Sequence, residues 1–136
     1  MASKFRLEIV TPDRVFFDEE VTMVVVRTDD GDVGLMSDHI QMASRIPIGR
    51  VKIKKDGEIL GASVASGFIK VGLDKTTIIT DAAEWPDEID PERAEAAKER
   101  AEKRLQQKTE DVNTRRAEIA LNKALNRIYV RETFRK

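Results

Sequence analysis

The chain has 136 residues, 40% hydrophobic, 36% charged and 5% aromatic, with a net charge of −1. That length suits one medium domain or a small domain plus an appendage, and the near-neutral charge and scarce aromatics give no footprint of a nucleic-acid binder or a base-stacking platform. Without cysteine there is no disulfide, thiolate metal site or cysteine nucleophile; the longest apolar run, residues 23–26, is too short to span a bilayer, and Met1-Ala2-Ser3-Lys4-Phe5 has no signal-peptide apolar stretch, so a soluble chain is expected.

Residues 1 to about 84 read as strands. Phe5, Leu7 and Ile9 alternate with Arg6 and Glu8, the period of a half-buried strand. Thr11-Pro12-Asp13 reads as a turn. Val15-Phe16-Phe17 and the run 21–26 are β-branched or aromatic. Asp29-Asp30-Gly31-Asp32 reads as another turn, and residues 48–53 alternate again. Lys55-Asp56-Gly57-Glu58 carries the Asp-Gly pair that a type I′ hairpin favours, because both central residues need positive φ. Residues 63–71 and 76–80 follow as strands, separated by Gly72-Leu73-Asp74-Lys75. Gly67 sits inside a strand pattern, which predicts a bulge or a close backbone contact. Short strands with frequent turn signals predict an antiparallel sandwich or barrel.

Near Pro86 the period changes. From Pro91 to Lys108 the chain is rich in Ala, Glu, Lys and Arg, with no glycine and no internal proline. Asp90-Pro91 predicts the start: an Asp cap, then Pro at the first helical position, where its missing N–H costs nothing. The polar stretch 109–114 predicts an interruption, and a second helix is expected to end near Tyr129 or Arg131. Ala94, Ala97, Ala101 and Leu105 share one face of the first helix. Ala117, Leu121, Ala124 and Ile128 share one face of the second. Two helices with a short connection form an antiparallel hairpin. The overall expectation is an α+β chain: residues 1–86 a β-sandwich, residues 87–136 a helical hairpin. The hairpin's alanine stripes bury little area at roughly 25 cal/mol per Å², so it should be weakly docked and able to move.

Charge divides unevenly. Residues 1–86 hold 11 basic and 14 acidic side chains, net −3, whereas residues 103–136 hold 10 basic and 4 acidic, net +6. The basic set includes Arg115, Arg116, Lys123, Arg127, Arg131, Arg135 and Lys136. The plain reading is a solvated helical surface. The functional one is a basic arm that meets an acidic protein loop, a nucleotide or a nucleic acid.

No catalytic constellation is present. His39 is the single histidine, without a partner for acid–base or metal chemistry, and a turn or packing role is expected of it. No Walker-type loop exists, since Gly31-Asp32-Val33-Gly34 is too short and lacks the lysine. On the helices, Arg93 and Arg100 are seven apart and project from nearly one side, while Lys123 and Arg127 are four apart and share a side. Folding the hairpin would gather these cations, a crowding that an anion relieves.

Several motifs together carry a resemblance. Gly31-Asp32-Val33-Gly34-Leu35, then His39, then Ile48-Gly49-Arg50-Val51, followed by Ser66-Gly67-Phe68-Ile69-Lys70-Val71, form one series. Thr77-Ile78-Ile79-Thr80-Asp81-Ala82-Ala83-Glu84 and Ile89-Asp90-Pro91-Glu92-Arg93-Ala94 complete it. In order and across nearly the whole chain, they resemble the epsilon subunits of bacterial F-type ATP synthases. Met36-Ser37-Asp38, ahead of His39, departs from the family's usual loop. The resemblance implies a non-catalytic rotor subunit that couples proton translocation to ATP synthesis and restrains ATP hydrolysis. It implies a sandwich joined to the gamma subunit and the c-ring, with Asp32 and His39 in that contact, on the cytoplasmic face of the cell membrane. The hairpin is then expected to meet gamma, alpha and beta, with Arg115, Arg116, Lys123 and Arg127 as the inhibitory contact.

No cofactor is implied, but ATP is, as a regulatory ligand of the folded hairpin. The resemblance points to Glu84, Ile89, Asp90, Arg93 and Ala94 for ATP, and the helical spacing adds Arg100, Lys123 and Arg127 to Arg93 around the phosphates. No Mg²⁺ ligand set is evident, so metal is not required. The reading from another class is a β-domain adaptor whose basic helical arm binds nucleic acid. It explains the charge split but not residues 89–94.

Overall fold

The structure, a computed structural model, describes residues 3–107 and 111–135. Thr109 and Glu110 of the expected interruption, and Lys136 of the basic set, lie outside them. The chain divides into two compact units, one ending at Glu84 and one beginning at Trp85.

The first unit is a β-sandwich. One sheet has the order β2-β1-β9-β8-β5, built from β1 (Phe5–Val10), β2 (Val15–Val21), β5 (Met42–Ile46), β8 (Gly67–Val71) and β9 (Lys75–Thr80). The other has the order β10-β7-β6-β3-β4, from β3 (Met23–Thr28), β4 (Gly31–Leu35), β6 (Gly49–Lys55), β7 (Glu58–Val64) and β10 (Ala83–Glu84). Pairing is antiparallel except between β1 and β9, which run parallel. The core is the set of inward positions that alternation selects. Leu7, Ile9, Ile69 and Ile78 come from one sheet, and Val24, Val51, Ile53 and Leu35 from the other; all are buried. Ile78 pairs with Ile9 on one side and Ile69 on the other, at the centre of its sheet.

The Asp-Gly hairpin forms as expected: Asp56 and Gly57 take φ of 48° and 80°, and Lys55 pairs with Glu58. Gly67 marks a close backbone contact. A Cβ there would stand 2.0 Å from the carbonyl oxygen of Ile79, so only glycine fits.

Two continuous runs read from the sequence are broken where the chain changes sheets. The run 21–26 divides at Thr22, whose N–H and hydroxyl both donate to the Lys54 carbonyl oxygen, at 2.9 and 3.0 Å. Val21 belongs to one sheet and Met23 to the other. The run 63–71 divides at Ala65-Ser66, whereas the strand expected over 76–80 ends at Thr80 as read, where the Thr80 hydroxyl donates to the Ala65 carbonyl oxygen at 2.8 Å before the chain crosses to the other sheet. Strand β5 gave no clear sequence signal, because Ile46 is its single buried residue.

The second unit begins with a 3₁₀ turn, Pro86–Glu88, followed by α1 (Pro91–Gln107) and α2 (Asp111–Phe134). Glu88 Oε1 accepts from the Trp85 N–H at 2.9 Å. Asp90 caps α1: its Oδ1 accepts from the Glu92 and Arg93 N–H groups at 3.0 and 3.2 Å. The expected faces are the packed ones. Ala94, Ala101, Ala117 and Ala124 are buried; Ala97, Leu105, Leu121 and Ile128 are half-buried. Helix α2 exceeds the expected limits at both ends. Residues 111–114 include neither Gly nor Pro, so propensity alone does not stop a helix there. At the other end Phe134 packs against a cluster of Ile89, Ala94 and Val130, which carries the helix past Arg131.

Candidate functional site

The two helices are joined by three residues, 108–110, and the end of α2 meets the segment before α1. The pair is therefore antiparallel. In such a pair, the residue just before each seam position falls on the same flank from both helices. Arg93 and Arg100 immediately precede buried Ala94 and Ala101; both arginines are exposed. Lys123, exposed, precedes buried Ala124, and half-buried Arg127 precedes Ile128. The four predicted cations thus line one flank. Arg116, before Ala117, joins them, and so does Arg104, before Leu105, which sequence reasoning did not single out. Its signal was present, since it stands one residue before a seam position, as the others do. Arg115 is exposed one step farther round.

The opposite flank is mostly acidic and neutral. Glu95, Glu102 and Glu118 follow buried alanines, and Lys98 pairs with Glu95 at 3.6 Å. The hairpin is therefore polarised across its width. On the cationic side, Arg100 and Arg104, and Lys123 and Arg127, are like charges at i,i+4, each pair costing roughly 0.2–0.5 kcal/mol. A polyanion laid along this flank removes that cost.

The remaining predicted ligand residues are placed differently. Ile89 and Ala94 are 3% and 2% exposed and form part of the hairpin's apolar cluster. Asp90 commits one carboxylate oxygen to the helix cap. Glu84 lies in the other unit, on β10 opposite Ser63. Among the described residues, the four predicted cations lie outside the hairpin's cleft. The hairpin's cleft, about 340 Å³, is lined by Ile89, Pro91, Glu95, Ile128, Arg131, Glu132 and Arg135, and shares Ile89 alone with the predicted set.

In the sandwich, Asp32 is the second residue of β4 and pairs with Arg27 and Arg50 at 3.2 and 3.3 Å. His39 lies in the turn segment that follows that strand. Its Nδ1 lies 2.8 Å from the Ile40 carbonyl oxygen, and its N–H donates to the Met36 carbonyl oxygen at 3.1 Å; this is the expected turn role. Exposed Ile40 and Leu73 flank the Met42–Val71 end of the β5–β8 pair. Sequence reasoning passed over both, because they stand in turn-rich segments. Among the described residues no helix is long and apolar enough to cross a membrane.

Comparison with known proteins bears on both units. Residues 4–86 match the family described as "ATP synthase, Delta/Epsilon chain, beta-sandwich domain". Residues 87–132 match "ATP synthase, Delta/Epsilon chain, long alpha-helix domain". The chain is 62% identical over 128 residues to the ATP synthase epsilon chain of Alkaliphilus metalliredigens, covering 94% of this chain and 96% of that one. It is 48% identical over 130 residues to that of Caldicellulosiruptor bescii, covering 96% and 95%. Among solved structures, a chain of the Euglena gracilis mitochondrial ATP synthase (OSCP/F1/c-ring) superposes with a TM-score of 0.80 at 23% identity. That match covers 90% of this chain and 78% of the other, and the likeness is one of fold.

Proposed function

The chain belongs to the ATP synthase epsilon chain family, and from that premise we propose that it is a non-catalytic rotor subunit whose hairpin is an ATP-sensitive brake on hydrolysis. The sandwich attaches to the gamma subunit and the c-ring, with Asp32 and His39 in that contact. The complex holds the subunit at the cytoplasmic face of the bacterial cell membrane. The hairpin, when extended, meets gamma, alpha and beta, and Arg115, Arg116, Lys123 and Arg127 engage acidic surface there. The nucleic-acid reading accounted for the charge split alone; family membership accounts for both units.

The observation that carries this reading is the cationic flank laid along an alanine-lined seam. ATP binds the closed hairpin. Arg93, Arg100, Lys123 and Arg127 hold the phosphates through charge-assisted hydrogen bonds. Glu84 and the second carboxylate oxygen of Asp90 accept from the adenine amino group or the ribose, and Ile89 and Ala94 shape the floor. Metal is not required in this scheme. Because ATP binds one state and not the other, it shifts the equilibrium toward closure by its differential affinity.

Calorimetry on the isolated chain tests the site. The wild type is expected to bind ATP, and Arg93→Ala to bind it measurably more weakly. No binding at millimolar nucleotide, or equal binding by the variant, contradicts the assignment.

A further inference from the structure

The alanine seam leaves open what holds the hairpin shut. Its base differs from the rest. There Arg131, half-buried in the last turn of α2, donates from one guanidinium nitrogen to two carbonyl oxygens, Ile89 at 2.8 Å and Pro86 at 3.2 Å. Both acceptors belong to the segment that leads into α1.

The Ile89 carbonyl needs such a donor. The first helical hydrogen bond of α1 runs from the Ala94 N–H to the Asp90 carbonyl oxygen, so the helix register stops one residue short of Ile89. Ile89 is only 3% exposed, and a buried carbonyl without a partner is costly. The Pro86 carbonyl also accepts from the Ile89 N–H at 3.3 Å, which closes the 3₁₀ turn. One guanidinium thereby ties the end of α2 to a turn and to the residue before a helix cap. The same residues pack: Ile89, Ala94 and Val130 form a buried cluster with Ile128 and Phe134 against it. The guanidinium also suits its own helix, because a cation in the last turn faces the negative end of the dipole.

We propose that Arg131 is the latch of the hairpin. It is a positioning residue that locks α2 to the 86–89 segment, and both of its bonds must break before α2 can leave α1. The seam fixes how the helices fit, and the latch fixes whether they stay together. This goes beyond the nucleotide site, since Arg131 is outside that residue set and its bonds are to the chain's own backbone.

The test is amide hydrogen exchange on the full chain without nucleotide, for the wild type, Arg131→Met and Arg131→Lys. Methionine keeps much of the stem and removes the donors. It is expected to speed exchange at the Ile89 amide and across residues 128–135 by about tenfold or more, the scale of a charge-assisted bond. Protection in the first unit, at Ile78 for example, should be unchanged. Lysine, which keeps a charged donor, should recover part of the protection. Loss of all protection in the second unit alone is the same result at larger amplitude. Wild-type exchange in Arg131→Met overturns the proposal, and so does acceleration of equal size in both units. Because no ATP is present, failure here leaves the nucleotide reading standing, and failure of ATP binding leaves the latch standing.

Discussion

The two units are built from different material. The sandwich core is Leu, Ile and Val drawn from two sheets, with many side chains wholly buried; each such side chain contributes roughly 1.5–3 kcal/mol on burial. The hairpin seam is mostly alanine, which has little side chain to bury, and its larger apolar groups collect at one end around Ile89 and Val130. A unit of the first kind holds one shape. One of the second kind buries little side chain along its seam and, with the latch proposed above, is expected to give up its shape more readily. The difference suits a subunit with one part to anchor and another to move.

Removing one structural side chain from each unit tests this contrast most sharply. Ile78→Ala at the centre of the sheet should cost about 2–5 kcal/mol, read as a lower urea midpoint for the sheet unit. Asp90→Ala, which removes the cap of α1, should cost about 1 kcal/mol. That loss should appear as reduced helicity by circular dichroism, with the sheet unit's midpoint unmoved. A sheet unit that melts together with the cap variant would show that the units are not energetically distinct.

A smaller effect concerns the cationic face. Replacing Arg115, Arg116, Lys123 and Arg127 together by Ala should raise ATP hydrolysis by the assembled complex and weaken its salt dependence. Each exposed contact is worth only about 0.2–1 kcal/mol, so the single variants should show little. Unchanged hydrolysis in the fourfold variant would count against an electrostatic brake.

The smallest effect is on acid stability, and it belongs to the sandwich. A hydrogen bond from Thr11 holds the Asp13 carboxylate below its usual range, Arg6 does the same for Asp18, and Lys4 for Asp56. A carboxylate depressed in the folded state stabilises it above the unfolded value, near 3.9. That contribution is lost as pH falls through the folded value. The sheet unit's urea midpoint should therefore fall modestly below about pH 4, all three groups being at the surface. Asp18→Asn should flatten the slope.

The fold class was legible because the period switches from two to 3.6 near Pro86 and because the turns carry their own chemistry at Asp56-Gly57 and Asp90-Pro91. The strand boundaries at 21–26 and 63–71 were not. Strand propensity does not record which sheet a residue joins, and Thr22 reads as one more β-branched residue although its hydroxyl turns the chain toward Lys54. Strand β5 was missed for lack of buried apolar side chains. In the hairpin, the spacing of Arg93 with Arg100 and of Lys123 with Arg127 put four cations on one flank. Arg131 read as one more basic residue, because its two acceptors are backbone carbonyls more than forty positions away.

The most direct measurement compares complexes assembled with the full chain and with a chain ending at Asp87. The shortened chain is expected to fold, join the rotor and support coupled ATP synthesis, while hydrolysis rises and its restraint no longer responds to ATP. A shortened chain that cannot assemble, or hydrolysis that remains restrained without the hairpin, would contradict the division of labour between an anchoring sandwich and a moving brake.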